Sequence, residues 1–512
     1  MITYREIMEY CPSNKIVYDE LFSLIRENNQ SIVPFVGAGL SHISNKDNQP
    51  IYPLWDGVLS NLSQTIEDVK FQKKIRCLID KKDFEKAAYY IGICLGGETC
   101  LSNKMIKIFS EKRLQDDINF NLEAVGLLPE LFPHNNVITT NYDCVLETIY
   151  AINGLEFNKK LTPNRQDVIK QCEAKKIRFL FKIHGDISGE TNEDLIFTRN
   201  QYKRRYYKRS PLWNMLCNCF SQNHMLFLGC SLINDETLKV LKSLKNKPTH
   251  FAILPCKEDC FNDRRKELIS KYNVKAIFYP MGRYESVRLL LERLLAQLKV
   301  DTIKKDKAKS FFWGRYPQSI YDNSSQPIEW QILERKDNKV LLISKFGLDS
   351  MPFDIKFKDV TWEESSMRKW LNSDVTSPIR DPGFLNQAFN TTEKEQIEIS
   401  LVKFDEISSS SNLKYEHSYS NDKVFLLDVS EVENYFPSNQ DRATKPTDYA
   451  KRKGAWASNH NGHNCWYWLR SPGERPKTAV DIDYDGSIEL SGMDVNSNFG
   501  AVRPAIWLNL DI

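Results

Sequence analysis

Short apolar runs alternate with longer amphipathic segments over the first 300 residues of the chain. The longer segments, 236–245 and 284–298, have the apolar spacing of helices. Short buried strands between helices are typical of a mostly parallel sheet covered on both faces. The pattern therefore predicts an α/β domain, with strands at 31–36, 136–140, 178–183, 225–228 and 250–254.

The pattern changes near residue 300. Residues 301–307 are charged and poor in apolar side chains, which is typical of a linker. Beyond them, short strand-like runs such as 340–344 are separated by irregular segments rich in Trp, Tyr, Asn, Ser and Asp. The sequence predicts one domain at 1–300, a linker at 301–307, and a second, α+β and loop-rich domain at 308–512.

Composition excludes several classes of function. The 512 residues carry 70 Lys and Arg against 67 Asp and Glu, a formal net charge of +3, which argues against a chain built chiefly to bind nucleic acid and leaves room for a local basic patch. No apolar run approaches the roughly 20 residues of a membrane span. The first residues lack the basic-then-apolar pattern of a signal peptide. We therefore expect a cytoplasmic protein with no membrane partner.

The 12 cysteines are scattered along the chain, and we expect reduced thiols rather than disulfides. The closest spacings join Cys217 to Cys219 and Cys256 to Cys260. Neither spacing makes the paired C-x-x-C pattern of a structural zinc site. We therefore expect no metal.

Four of the predicted strands end in residues that carry chemistry. The ends read G-A-G-L-S at 37–41, T-T-N-Y-D at 139–143, K-I-H-G-D at 182–186 and G-C-S at 229–231. Each piece alone fits an ordinary turn or a structural histidine. The carboxyl ends of parallel strands lie along one edge of a sheet, where ligands bind, so the four ends together favour one site.

In their order and approximate spacing, these motifs resemble the sirtuin NAD-binding domain, over residues 20–300. They are closer still to the sirtuin-like NAD hydrolases of bacterial antiphage defence proteins. That branch shares the T-T-N-Y-D form, the Pro53-Leu54-Trp55 stretch and the Phe197-Thr198 to Tyr202 run. The resemblance implies a Rossmann-like fold with NAD as the substrate.

Two departures from the protein-deacetylating sirtuins bear on the reaction. Residues 42–55 do not carry the G-I-P-D-F-R stretch of those enzymes, and no four-cysteine zinc module follows the histidine motif. Both differences count against deacetylation and favour hydrolysis of NAD.

The resemblance also implies a role for each site residue. Gly37, Ala38, Gly39 and Ser41 would hold the diphosphate and the nearby ribose, and Asn141 would position a water or the ribose hydroxyls. His184 is the candidate general base, because imidazole titrates near neutral pH. Asp143 would lie near the nicotinamide amide, and Gly229 and Ser231 near the adenosine ribose. Asp235 is a further candidate, although an acidic residue there could simply favour a helix N-terminus.

Residues 203–209 form one dense basic run in which tyrosines are interleaved. Such a run could contact nucleic acid. A solvated helix face or a subunit interface fits the net charge of the chain better.

The second domain has its own resemblance. W-L-R-S-P-G at 468–473 and V-R-P-A at 502–505 are similar to a bacterial domain of unknown function, and to domains with the C-type-lectin or formylglycine-generating-enzyme fold. Cys465 is the one cysteine after the linker, so the copper-binding pair of formylglycine-generating enzymes is missing. We expect this domain to bind a trigger, a phage protein or a nucleotide signal, and to control the first domain.

The function expected from the sequence is hydrolysis of NAD to nicotinamide and ADP-ribose, with NAD depletion on infection. The defence branch also implies a homo-oligomer, a tetramer or larger. Two alternatives remain open. One is deacylation or ADP-ribosyl transfer on a protein, and the other is a silent sensor of NAD or ADP-ribose.

Overall fold

The computed structural model describes residues 2–41, 50–110, 114, 123–163, 177–188, 195–233, 236–305, 309–319, 325–373, 382–407, 415–459 and 461–511. The chain divides into two compact units, Met1–Leu295 and Ala296–Ile512. No helix in the described ranges is both long and apolar enough to cross a bilayer.

A seven-stranded parallel sheet forms the centre of the first unit. Its spatial order is β3-β4-β2-β1-β5-β6-β7, so β1 lies in the middle. All five residues of β1 are buried, as expected for a strand covered by helices on both faces. The strands are β1 Ile32–Val36, β2 Val137–Thr139, β3 Lys159–Leu161, β4 Phe179–Lys182, β5 His224–Leu228, β6 His250–Cys256 and β7 Val274–Pro280.

Helices connect these strands, and five of those described, α3 to α7, lie in sequence between β1 and β2. The helices are α1 Tyr4–Tyr10, α2 Asn14–Asn28, α3 Trp55–Gln64, α4 Val69–Asp80, α5 Phe84–Cys94, α6 Glu98–Ile108, α7 Leu128–Leu131, α8 Val145–Ile152, α9 Arg199–Arg205, α10 Pro211–Gln222, α11 Glu236–Ser243, α12 Phe261–Glu267 and α13 Glu285–Lys305. Short helical turns of other types cover Asn29–Ser31, Ala124–Leu127, Glu258–Cys260 and Leu268–Tyr272. The predicted α/β class with a Rossmann-like parallel sheet is confirmed.

The chain changes direction across the sheet at β1. From β1 it continues to β2 on one side, and after β3 and β4 it crosses to β5 on the other side. A ligand cleft forms at such a point, outside the carboxyl ends of the strands. The sequence-predicted motifs follow β1, β2, β4 and β5, the four strands that meet there.

The second unit is α+β and rich in loops, as predicted. One five-stranded sheet has the order β14-β19-β10-β9-β8, a second has the order β11-β18-β15-β16-β17, and β12 pairs with β13 as a hairpin. The strands are β8 Ser310–Pro317, β9 Ser325–Lys336, β10 Lys339–Ser344, β11 Asp349–Ser350, β12 Ser400–Ile407, β13 Tyr415–Asp422, β14 Val424–Phe425, β15 Tyr467–Pro472, β16 Thr478–Ile482, β17 Ile488–Asp494, β18 Ala501–Val502 and β19 Ala505–Asn509. The helices are α14 Ser366–Asn372, α15 Phe384–Ala388, α16 Thr391–Gln396, α17 Val429–Tyr435, α18 Asn439–Arg442 and α19 Asp448–Lys453, with one short turn at Asn461–His463.

Tryptophans form much of the core of the second unit. Trp313, Trp330, Trp362, Trp370 and Trp468 are all fully buried. Large flat rings fill the space between small sheets and long loops, where regular secondary structure is sparse. Trp330 also donates its indole N–H to the Trp313 carbonyl at 2.7 Å, so its polar atom has a partner.

The segment predicted as a linker begins inside a helix. Helix α13 continues through residues 301–305, the first five of the predicted linker. The helix persists because Val300 and Ile303 are buried in the apolar core of the second unit. Apolar side chains at this spacing anchor one face of a helix even in a charged segment.

Candidate functional site

Two glycine loops interlock at the carboxyl ends of β1 and β5. Gly37 donates its N–H to the Leu228 carbonyl at 2.8 Å, and Gly39 donates to the Gly229 carbonyl at 3.0 Å. A Cβ on Gly37 would lie 2.6 Å from the Gly229 oxygen, and one on Gly229 would lie 2.2 Å from the Leu40 nitrogen. Gly229 also has φ +66°, which glycine adopts without strain. The close approach of the two backbones therefore requires glycine.

The first loop has an exposed tip and a buried base. Ala38 and Gly39 are exposed, so backbone at this tip is accessible to a ligand. Ser41 is buried and accepts a hydrogen bond from the Asn141 amide, with 2.7 Å between Nδ2 and Oγ. The structure thus brings together two of the predicted site residues, which are 100 positions apart in the chain.

Thr139 fixes the position of Asn141 at the end of β2. The Thr139 hydroxyl donates to the Val36 carbonyl at 2.8 Å and accepts the Asn141 N–H at 3.0 Å. The Ile183 N–H, from the end of β4, donates to the Thr139 carbonyl at 3.0 Å. One threonine therefore links the ends of β1, β2 and β4 and sets the direction in which Asn141 leaves the sheet.

His184 lies against an aromatic wall. Its Nε2 is 3.0 Å from the hydroxyl of Tyr206, and the hydroxyl of Tyr202 lies 3.4 Å from each ring nitrogen. The ring of Tyr142 is 6.3 Å away, centroid to centroid. Tyr202 lies on α9 and Tyr206 directly follows it, and their rings stack at 5.6 Å. These contacts orient the imidazole, which is 6% exposed.

Trp55 and Phe197, from the two stretches that resemble the defence branch, pack against the aromatic residues around His184. Tyr142 donates its hydroxyl to the Ile196 carbonyl at 2.6 Å, and its ring lies 4.7 Å from that of Phe197. Trp55 meets both rings edge-on at 6.1 Å. Helix α3, which begins at Trp55, is therefore joined to the strand ends through aromatic contact.

A fully buried lysine forms hydrogen bonds and ion pairs at the ends of β2 and β4. Lys182, the last residue of β4, contacts the carboxylates of Glu147 at 2.9 Å and Asp186 at 2.8 Å. It also donates to the carbonyls of Tyr142 at 3.1 Å and Asp143 at 2.7 Å. Burial alone would lower the pKa of Lys182, but Glu147 and Asp186 outweigh burial and hold its pKa above the ordinary value. The lysine is therefore charged at neutral pH and fixes the 142–143 backbone.

Asp143 is buried and caps the helix that follows. Its carboxylate accepts the Val145 N–H at 3.0 Å, at the start of α8. Burial raises the pKa of Asp143 to about 6, and the nearby Lys182 opposes that rise. The carboxyl group therefore titrates close to neutral pH, which is uncommon outside functional sites.

One cluster of three potential metal ligands occurs among the described residues, formed by Cys144, Glu147 and Asp186. The ammonium group of Lys182 already contacts both of its carboxylates. Burial raises the pKa of the Cys144 thiol to about 12, so it stays protonated at neutral pH, whereas a metal would need the thiolate. Lys182 therefore already supplies the positive charge that balances the carboxylates of Glu147 and Asp186.

The remaining predicted residues lie at the periphery or outside the described residues. Ser231 is exposed, and its carbonyl lies 3.4 Å from a guanidinium nitrogen of Arg264. Asp235 falls in the undescribed gap before α11. The structure places Gly229 beside Gly37 and Gly39, whereas the hydrogen bond described for Ser231 joins it to Arg264.

Lys182 and Tyr206 are site residues that sequence reasoning missed. Lys182 stands in the motif K-I-H-G-D but has the residue type least expected in a core. Tyr206 belongs to the basic run 203–209, which was interpreted as a solvated face or an interface. The signal for Lys182 was available: a lysine directly after Phe179-Leu180-Phe181 must lie in a buried strand and needs carboxylate partners.

A cavity of about 540 Å³ lies between the α5–α6 helices and α9, lined by residues that include Tyr89, Glu98, Lys203 and Arg204. Arg204 binds the Glu98 carboxylate at 2.5 Å, which joins α9 to α6. Helix α9 also contains Tyr202, whose hydroxyl lies 3.4 Å from His184 Nδ1. None of the sequence-predicted site residues lines this cavity.

Comparison with protein families finds one match in each part of the chain. Residues 135–277 match the SIR2-like domain, and residues 337–510 match a domain of unknown function, DUF6273. A comparison with curated proteins finds no significant match. The first match supports an NAD-related function of the sirtuin type, and it covers the ends of β2, β4 and β5 described above.

Proposed function

We propose that the chain is an NAD⁺ glycohydrolase that releases nicotinamide and ADP-ribose. The observation that carries this proposal is the hydrogen bond between Asn141 and Ser41, which joins two candidate NAD-binding motifs at the sheet edge where a SIR2-like domain would bind its dinucleotide. His184 follows the neighbouring strand, so a polar amide and an imidazole leave adjacent strand ends.

The reaction requires little acid catalysis. The bond between C1′ of the ribose and the nicotinamide nitrogen breaks with its electron pair going to that nitrogen, which neutralises the pyridinium. Water adds its oxygen to C1′ and loses a proton. The protein must therefore orient the ribose, stabilise positive charge at C1′ and place the water.

We assign these tasks to the strand-end residues. The Gly37–Gly39 tip offers exposed backbone for the diphosphate, and Asn141 positions the water or the ribose hydroxyls. The Asp143 carboxylate, largely ionised above pH 6, favours positive charge nearby. His184 accepts the proton of the water, with Tyr206 holding its ring in place. Gly229, Ser231 and Asp235 remain the candidates for the adenosine side.

We further propose that the second unit controls this activity in antiphage defence. Unchecked hydrolysis of NAD would kill the host, so a low resting activity and an infection trigger, a phage protein or a nucleotide signal, are part of the proposal. The catalytic role belongs to the first unit, Met1–Leu295, and the control role to the second, Ala296–Ile512. The proposal places the protein in the cytoplasm as a homo-oligomer, a tetramer or larger.

Product analysis separates this proposal from its alternatives. Purified full-length chain is incubated with NAD, and nicotinamide, ADP-ribose and protein-linked ADP-ribose are quantified. Equal amounts of free nicotinamide and free ADP-ribose support hydrolysis. ADP-ribose attached to protein would indicate transfer instead, and NAD binding with no product under any condition, infected-cell extract included, would indicate a sensor.

Deletion of residues 308–512 tests the control role. We expect the truncated chain to lose the rise in NAD consumption that infection causes. A truncated chain whose NAD consumption still rises on infection as in the full chain would show that the second unit is not the sensor.

A further inference from the structure

The second unit exposes a group of large apolar side chains around one pocket. The pocket has a volume of about 540 Å³, and its lining includes Trp456, Trp466, Met493 and Phe499. Trp456 is 45% exposed, Met493 41% and Phe499 61%. Exposed large apolar side chains gathered in one place mark a binding site more often than isolated ones do.

Hydrogen bonds fix the loops that carry these side chains. The backbone N–H of Trp456 donates to the Phe499 carbonyl at 3.0 Å, which joins the two loops to each other. The Ser350 hydroxyl lies 2.9 Å from the Asn498 carbonyl and 3.1 Å from the Gly500 carbonyl, on either side of Phe499. A Cβ on Gly500 would lie 2.7 Å from the Trp466 ring, so the backbone is pressed against that indole. The pocket is therefore formed before a ligand arrives.

Among the described residues, the lining of the pocket carries one charged side chain, and its charge is negative. Asp494 lines it, and no Lys or Arg does so among the described residues. Tyr484 packs edge-on against Trp456 at 5.5 Å, which brings the acidic 483–485 turn beside the pocket. Burial, with Asp483 and Glu489 adding to it, raises the pKa of Asp481 on the same hairpin to about 7, as expected where carboxylates accumulate.

Most cations on the neighbouring loops contact other groups. Arg452 and Lys453 lie over the ring of Tyr449, at 5.1 and 5.4 Å. Arg442 donates to the Gly486 carbonyl at 2.8 Å. Arg475 pairs with Asp494 itself at 3.4 Å, but both side chains are exposed, and an exposed ion pair contributes little energy, so a ligand cation can compete for this carboxylate. A pocket with this lining disfavours phosphates and other anions.

We propose that this pocket binds an alkylammonium cation, such as a trimethylammonium group, between Trp456, Phe499 and the carboxylate of Asp494. Indole and phenyl rings attract such cations through the negative potential of their faces. The weakly hydrated methyl groups also match an apolar lining better than a sugar or a phosphate does. This binding is independent of the NAD reaction and stands or fails separately from it.

Calorimetric titration of the full chain with choline tests the proposal. The matched ligand is 3,3-dimethylbutan-1-ol, which has the same shape without the charge. We expect choline to bind about tenfold more tightly than the alcohol, or better, because the cation–π attraction requires the charge. No choline binding, or equal binding of the alcohol or of glucose, would overturn the proposal.

Variants locate the site. Trp456→Leu and Phe499→Leu should each weaken choline binding by about tenfold. Asp494→Asn should weaken it by a smaller factor that shrinks at high salt. Phe312→Leu is the matched control, because Phe312 is also exposed, at 51%, but lies on β8 outside the pocket lining. Circular dichroism checks that each variant folds, and equal losses in Phe312→Leu would overturn the assignment.

A parallel titration with acetyl-trimethyllysine amide identifies the source of the cation. Tighter binding of this compound than of choline indicates a methylated protein, and tighter binding of choline indicates a small molecule. Both results support the alkylammonium proposal. If neither compound binds, the proposal is wrong.

Discussion

At the scale of single residues, the buried ammonium group of Lys182 makes four polar contacts at the ends of the strands. It meets two carboxylates and two backbone carbonyls, and its side chain has no exposed surface. A buried ion pair adds little to stability by itself, but removing one partner leaves buried charge uncompensated.

Replacing Lys182 by Met should therefore destabilise the first unit strongly. We expect the free energy of unfolding to fall by about 3–5 kcal/mol, the usual cost of breaking a buried pair. Urea denaturation followed by circular dichroism measures it. Lys160→Met is the matched control, since Lys160 binds the same Asp186 at 3.0 Å from a side chain that is 41% exposed. We expect a loss of about 1 kcal/mol or less there, and equal losses in both variants would contradict the account of Lys182.

Asp143 makes the stability of the fold depend on pH. Its folded pKa of about 6 is above the unfolded value of 3.8, so the protonated form favours the folded state. That contribution is fully present below pH 3.8 and is lost as the pH rises through 6. Asp143→Asn keeps an oxygen to cap α8 and removes the charge. We expect it to raise the free energy of unfolding by up to about 3 kcal/mol at pH 8, and by little at pH 4.

Urea denaturation of wild type and Asp143→Asn across pH 4 to 8 tests this expectation. A difference between the two proteins that does not change with pH would mean that the carboxyl group titrates normally. A variant less stable than wild type at pH 8 would show that the ionised carboxylate makes favourable contacts that outweigh its burial.

At the scale of elements, the interlocked loops after β1 and β5 decide whether the site forms. Gly229→Ala should destabilise the unit and abolish NAD binding, because its Cβ would lie 2.2 Å from the Leu40 nitrogen. Gly154→Ala is a matched control, since Gly154 has φ +68° and no described atom within 4 Å of an added Cβ. The control should lose only the roughly 1–2 kcal/mol of left-handed strain.

Calorimetric NAD titration and thermal unfolding of both variants measure the difference. The stability that Gly229→Ala loses beyond the loss in Gly154→Ala measures how much the close packing of the two glycine loops contributes. NAD binding retained in Gly229→Ala would contradict the assignment of this loop to the dinucleotide.

Apolar runs made five of the seven strands of the parallel sheet predictable. Strands β3 and β7 were not among those predicted. Strand β7 has an apolar run that could have revealed it, whereas β3 gives no such run because Lys159 and Lys160 are exposed at the sheet edge. Burial of Lys182 depends on Glu147 of α8 reaching it from a distant position in the chain, and no local pattern encodes that contact. The site motifs were visible because strand ends are local, whereas the Tyr206 contact to His184 depends on how α9 packs.

At the scale of the whole molecule, the chain joins a SIR2-like unit to a second unit with its own core. Trp466 belongs both to the tryptophan-rich core of the second unit and to the lining of its pocket. The resemblance of the second unit to lectin-like domains stays a prediction. The central claim concerns the first unit, namely that Asn141 serves in the hydrolysis of NAD.

The most direct test measures cellular NAD, nicotinamide and ADP-ribose, with and without phage, in cells that make wild type, Asn141→Ala or Asn153→Ala. Asn153 is the matched control, because it is exposed after α8 and its amide bonds only the Ile149 carbonyl among the described contacts. We predict infection-dependent NAD loss with wild type and Asn153→Ala. With Asn141→Ala, we predict that the rate of NAD loss falls by a factor of about 100 or more. NAD loss that persists unchanged in Asn141→Ala would contradict the account.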